Sequence, residues 1–109
     1  MLTYHQTPAE HYDPDSPTYL PAGYDQDGFI HTTAPLARVP AVATKHCGQD
    51  PRPYVLLTID LERLVVPWRY DAAGEDYPHI YGPLNRDAIV DVQPMARAAD
   101  GSFLPIERA

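Results

Sequence analysis

The sequence predicts one α+β domain over residues 1–109, built on a bent or split, antiparallel-rich sheet with one or two short helices. Three observations predict it. Apolar residues come in short runs rich in Val, Ile, Tyr and Thr, the composition of strands. Only the stretch after Thr33 repeats its apolar residues at helical spacing. The 13 prolines fall mostly between the apolar runs, where they punctuate a loop-rich fold. Disorder is the other reading of so much proline, but a chain that is 44% hydrophobic with 8 tyrosines is too apolar for it.

Taken in order, Leu2 to His5 reads as a first strand. Thr7-Pro8-Ala9-Glu10 carries a helix-start pattern, with Thr7 as cap, Pro8 in the first turn and Glu10 three residues after the cap. Asp13-Pro14-Asp15-Ser16-Pro17 is turn chemistry and must end that helix quickly. Thr18-Tyr19-Leu20 is a short strand, and Gly23 to Gly28 a polar loop. Phe29-Ile30-His31-Thr32-Thr33 follows as a strand, which puts Phe29, His31 and Thr33 on one face and Ile30 and Thr32 on the other. Thr33 before Ala34-Pro35 then opens the main helix, which Pro40 should kink or split and Gly48 ends.

Pro53 to Asp60 is nearly continuous in apolar residues and is expected at the centre of a sheet, covered on both faces. Val65 to Tyr70 is a further strand, with Pro67 marking an edge or bulge. Asp71 to Asp76 is an acidic loop, and His79-Ile80-Tyr81 a short strand closed by Gly82-Pro83. Ala88 to Gln93 alternates like a half-buried strand. Asp100-Gly101 marks a hairpin turn, after which Phe103 to Ile106 forms a last edge strand.

Charge and cysteine content exclude several functions. Eight Lys and Arg against 15 Asp and Glu give a net charge of −7, with the basic residues scattered singly, so nucleic acid is not the expected partner. Cys47 is the lone cysteine, so neither an intramolecular disulfide nor a cysteine zinc site can form. No stretch approaches the roughly 20 apolar residues that cross a bilayer, and the first residues lack a signal-peptide pattern. The expectation is a cytoplasmic protein with a small-molecule ligand in a cleft; oligomeric state is not legible.

Glycine-rich phosphate loops, zinc-protease and serine-hydrolase motifs are all absent. Two histidine-bearing segments carry what chemistry there is. His31, on a strand just before a helix, is either a ligand group or a buried histidine bonded at both nitrogens. His79 and Tyr81 share a strand face, as a polar pair facing a ligand or as an aromatic core with satisfied tips. Asp71, Glu75 and Asp76 offer carboxylates nearby, of which one beside an imidazole would make an acid–base pair. His5 is placed to join the same site, whereas His11 and His46 read as surface residues and Cys47 as a half-buried helix residue. His5, His31 and His79 follow no metal-motif spacing, so no metal is assigned.

Gly28-Phe29-Ile30-His31-Thr32-Thr33, Tyr77-Pro78-His79-Ile80-Tyr81-Gly82-Pro83-Leu84, the opening Tyr4-His5 and the run ending at Asp60 together resemble the family catalogued as domain of unknown function 952. The resemblance implies a fold similar to the ADP-ribosyltransferase-like superfamily, in which nicotinamide adenine dinucleotide (NAD) lies in a cleft between two sheet halves. It further implies that His31 holds the early-strand position on the ribose, with Thr32 or Thr33 beside it and Tyr81 as the stacking aromatic. Asp71 stands where this family often has Glu and would polarise a ribose hydroxyl. On this reading His31, His79 and Asp71 are the catalytic candidates, and His5, Thr32, Thr33 and Tyr81 the cofactor-binding ones, with NAD as the cofactor. The alternatives carried with it are a non-catalytic small-molecule binding module or accessory protein, and an enzyme of a different metabolite using a histidine acid–base.

Overall fold

The computed structural model describes residues 1–71 and 74–107. Ala72 and Ala73, inside the acidic loop expected from Asp71 to Asp76, lie outside the described residues. Eight strands and two helices follow in chain order: β1 (Leu2–Pro8), β2 (Thr18–Tyr19), α1 (Tyr24–Asp27), β3 (Ile30–His31), α2 (Val39–Cys47), β4 (Tyr54–Asp60), β5 (Trp68–Tyr70), β6 (Pro78–Ile80), β7 (Leu84–Asn85) and β8 (Ile89–Pro94). Every strand pairing among them is antiparallel.

The sheet is split. One half has the order β1-β4-β8, the other β3-β6-β5, and β2 pairs with β7 as a separate ribbon. A single bridge joins the halves: Tyr4 and Thr33 exchange both backbone hydrogen bonds, each 2.9 Å.

β4 occupies the centre of its half, as its apolar run dictates. Its alternate residues serve two cores. Leu57 and Ile59 point into a cluster with Ile30, Ile80 and Leu84 that fills the space between the sheet halves. Tyr54 and Leu56 point the other way, against Val39 and Ala43 of α2 and against Met95 and Phe103. Fully burying one such aliphatic side chain is worth about 1.5–3 kcal/mol, so this one strand anchors both layers.

Several elements depart from the sequence expectation. The Thr7 helix start does not form. Thr7 stays in β1 opposite Val55, and only a three-residue 3₁₀ turn, Ala9–His11, follows with no side-chain cap. A buried strand partner outweighs a local capping pattern here. Pro40 does not split the main helix, because the chain first makes a 3₁₀ turn at Leu36–Arg38 and α2 begins only at Val39. Pro40 therefore sits in the first turn, where its missing N–H costs nothing. Gly23 to Gly28 is not all loop: one turn of helix, α1, ends on Gly28 at φ 79°. Only Trp68–Tyr70 of the 65–70 run pairs, and Phe103 makes a single bridge to Arg97 rather than a strand.

The C-terminal end of α2 is tied down by Arg97. Its guanidinium donates to the carbonyls of Gly48 at 3.1 Å, Arg52 at 2.9 Å and Asp50 at 2.5 Å. The Asp100-Gly101 turn forms beside it, with Gly101 at φ 94° and the Asp100 carboxylate accepting from the Ser102 N–H at 2.9 Å. No helix among the described residues is long and apolar enough to cross a membrane.

Candidate functional site

Strand register builds the site. β6 is the middle strand of its half, so His79 has His31 as its neighbour on β3 and Arg69 on β5. Neighbours in register point to the same face. Phe29 lies two residues before His31 and Tyr81 two after His79, which brings both onto that face as well. The Phe29 ring stacks flat on the His79 imidazole, 3.9 Å between centroids and 15° between planes. It also lies tilted against His31 at 4.5 Å and Tyr81 at 5.9 Å. The two imidazoles meet edge to face at 5.8 Å. The histidines that the sequence separates by 48 positions thus share one patch.

This patch is one wall of a cleft of about 560 Å³. Val42, Lys45, His46 and Cys47 of α2 also line it, with Asp27, Tyr77 and Gln6. A volume in the range of roughly 300–1,000 Å³ is that of small-molecule sites.

The hydrogen bonds fix the tautomers. The Nδ1 of His79 lies 2.9 Å from Asp71 Oδ2, and a carboxylate only accepts, so Nδ1 carries the proton. In the neutral ring Nε2 is then left as an acceptor, and it has no partner among the described residues. Asp71 is held by further donors: Arg69 Nε reaches its Oδ1 at 2.6 Å, and the Tyr81 hydroxyl donates to Oδ2. Arg69 lies in turn over the Tyr81 ring, 4.4 Å from its centre. Burial pushes the Asp71 carboxyl up, but the bonds from His79 and Arg69 outweigh this and leave it below its usual value. His31 Nε2 faces Asp27 Oδ2 at 3.2 Å and the ring is largely exposed.

Three further residues named from the sequence are buried in the cleft wall. His5 is 7% exposed, and both its nitrogens are engaged. Its Nδ1–H donates to the His31 carbonyl at 2.7 Å, and Nε2 accepts from the Tyr19 hydroxyl at 2.9 Å. Burial pulls its pKa down to about 4, only partly opposed by the bond to the His31 carbonyl. Thr32 is buried: its hydroxyl accepts from Thr3 at 2.7 Å and donates to the Pro78 carbonyl at 2.6 Å. Thr33 is buried too, and its backbone makes the bridge to Tyr4. His5, Thr32 and Thr33 all border the cleft. Asp71 is not among its lining residues, because its carboxylate is turned to Arg69, His79 and Tyr81.

Sequence reasoning missed the stacking of Phe29 and the parts played by Arg69, Lys45 and His46. Phe29 was on the correct face but its stacking needs the β3–β6 register. Arg69 and Asp71 carried a legible signal, an i, i+2 basic–acidic pair on one strand face. His46 is exposed, as its reading as a surface residue expects, and what the sequence does not show is that it and Lys45 line the same cleft as β3. Groups of three or more His, Cys, Asp or Glu able to hold a metal are absent among the described residues.

The family model described as "Protein of unknown function (DUF952)" matches residues 6–92. The crystal structure of protein CC0527 from Caulobacter crescentus superposes with a TM-score of 0.76 at 26% identity, covering 95% of this chain and 94% of that one. A double mutant of CC0527 superposes equally, at 25% identity. No curated protein matches the sequence.

Proposed function

The chain belongs to the family of unknown function numbered 952, and on that premise we propose that the cleft is a nucleotide site of the ADP-ribosyltransferase-like kind, with NAD as its ligand. The observation that carries this reading is the shared face of His31, His79 and Phe29, with ring centroids within 5.8 Å of one another, opening into the cleft. A planar base needs an aromatic surface, and Phe29 offers it; Tyr81 stands on the same face but outside the cleft lining, under the Arg69 guanidinium. A diphosphate needs donors and positive charge, which His31, Lys45 and His46 bring to the cleft lining. A net charge of −7 does not oppose this, because the charge that matters is local.

Isothermal titration of the purified chain with NAD, ADP-ribose and AMP tests the reading. Saturable binding is expected, weakened about tenfold or more by His31→Ala without loss of the folded signal. Heats of dilution alone for all three nucleotides would refute it.

A second reading, a module that binds without turnover, draws on Asp71. Its carboxylate is occupied by protein donors and does not line the cleft, so Asp71 does not stand where a glutamate would face the reacting ribose.

A further inference from the structure

We propose that His79 is a general base, oriented by Asp71, that activates water for hydrolysis of the ligand held in the cleft. The inference rests on the nucleotide reading above and adds a reaction to it. Four features of the geometry carry it. His79 is fixed on the central strand of its sheet half, with its side chain 15% exposed. Its Nδ1–H is committed to Asp71, so the neutral ring keeps at Nε2 a lone pair with no partner among the described residues, and His79 lines the cleft. Asp71 is anchored at both oxygens, by Arg69 on one and Tyr81 on the other, so it holds the ring without swinging into the cleft itself. Phe29 covers the ring face and fixes its plane. A structural histidine of the kind seen at His5 is bonded at both nitrogens; His79 is bonded at one.

The reaction balances as a hydrolysis. A water proton passes to His79 Nε2 while the water oxygen bonds to the anomeric carbon of the nicotinamide ribose. The bond from that carbon to the nicotinamide nitrogen breaks, and its electron pair neutralises the pyridinium charge. Nicotinamide and ADP-ribose leave, and the imidazolium returns its proton to solvent. Asp71 is a positioning residue in this scheme: it sets the tautomer and stabilises the imidazolium that forms. Other charged or titratable groups around the ring are Arg69 beside it on β5, His31 on β3 with Asp27 of α1, and Lys45 and His46 of α2, which line the same cleft.

The test pairs binding with turnover on the full chain. NAD affinity is measured by titration calorimetry, and released nicotinamide by chromatography, for wild type, His79→Gln and Asp71→Asn. Wild type should release nicotinamide. His79→Gln should keep its NAD dissociation constant within about threefold while kcat falls about 100-fold or more. Asp71→Asn should lower kcat less and move the midpoint of the kcat/KM profile to lower pH, because a carboxylate partner favours the charged imidazole. A merely structural Asp71 would lower activity without moving that midpoint, so the shift also decides the matter should His79→Gln fail to fold. Binding by wild type without nicotinamide release, or equal turnover by wild type and His79→Gln, overturns the base while leaving the nucleotide reading intact. Absence of NAD binding overturns both.

Discussion

Acidification should loosen this protein through His5. The residue titrates near 6.5 in an unfolded chain and is pulled down to about 4 in the folded one, chiefly by burial. Protonation therefore favours the unfolded state. Stability from this residue is full above about pH 6.5, falls as pH drops from there to about 4, and is level below that. Each unit of difference is worth about 1.36 kcal/mol, so the loss is about 2 kcal/mol at pH 5 and about 3 kcal/mol below pH 4. Structure explains the sign. Nε2 accepts from Tyr19, so a proton added there meets a donor, and the ring is buried. Urea denaturation of wild type and His5→Gln at pH 7.5, 6, 5 and 4 isolates the effect, since other titrating groups cancel in the difference. The variant is expected to be less stable at pH 7.5, and the gap between the two should shrink by about 2 kcal/mol by pH 5. A gap that stays constant across that range would refute the assignment of His5 as a neutral, doubly bonded histidine.

Three further outcomes follow from other parts of the molecule. Gly82→Ala should destabilise by about 1–3 kcal/mol, because Gly82 has φ 139° and an added Cβ would lie 2.7 Å from Val66 Cγ1; adding Val66→Ala should recover the steric part and leave the backbone part, as thermal melts would show. Thr32→Val should cost about 2 kcal/mol in chemical denaturation, since it strands the Thr3 hydroxyl and the Pro78 carbonyl in the interior. Lys45→Ala should weaken NAD binding about threefold or more, because it removes a positive charge from the cleft lining; unchanged affinity by calorimetry would count against a Lys45 contact to the diphosphate.

The sequence made the main strands legible because their cause is local. An apolar run such as Val55 to Ile59 admits one environment, and the structure places it there. The face shared by His79 and Tyr81 followed from the strand period alone. What the sequence did not show depends on non-local pairing. Thr7 has the residues of a cap, but its fate is decided by Val55, 48 positions away. The roles of Asp71 and His5 likewise depended on partners. Asp71 was read as a carboxylate meeting the ligand, yet Arg69 and Tyr81 turn it towards His79. His5 was read as a ligand contact, yet the hydroxyl of Tyr19 and the carbonyl of His31 already satisfy it. Lys45 and His46 became visible as cleft residues only when the packing of α2 was known.

The lone backbone bridge between Tyr4 and Thr33 gives the cleft mechanical properties. Helix α2 is packed on the half that contains β4, whereas His31 and His79 belong to the other half. The two jaws share an apolar core, but their backbone joint is this one residue pair, reinforced next door by the His5 to His31 and Thr3 to Thr32 bonds. A molecule gripped by both jaws must load that joint like a pivot pin. Amide hydrogen exchange at Tyr4 and Thr33 should slow when the jaws are clamped and quicken when His5 gains its second proton, so an acid-weakened hinge and an occupied mouth would pull on the same two amides in opposite directions.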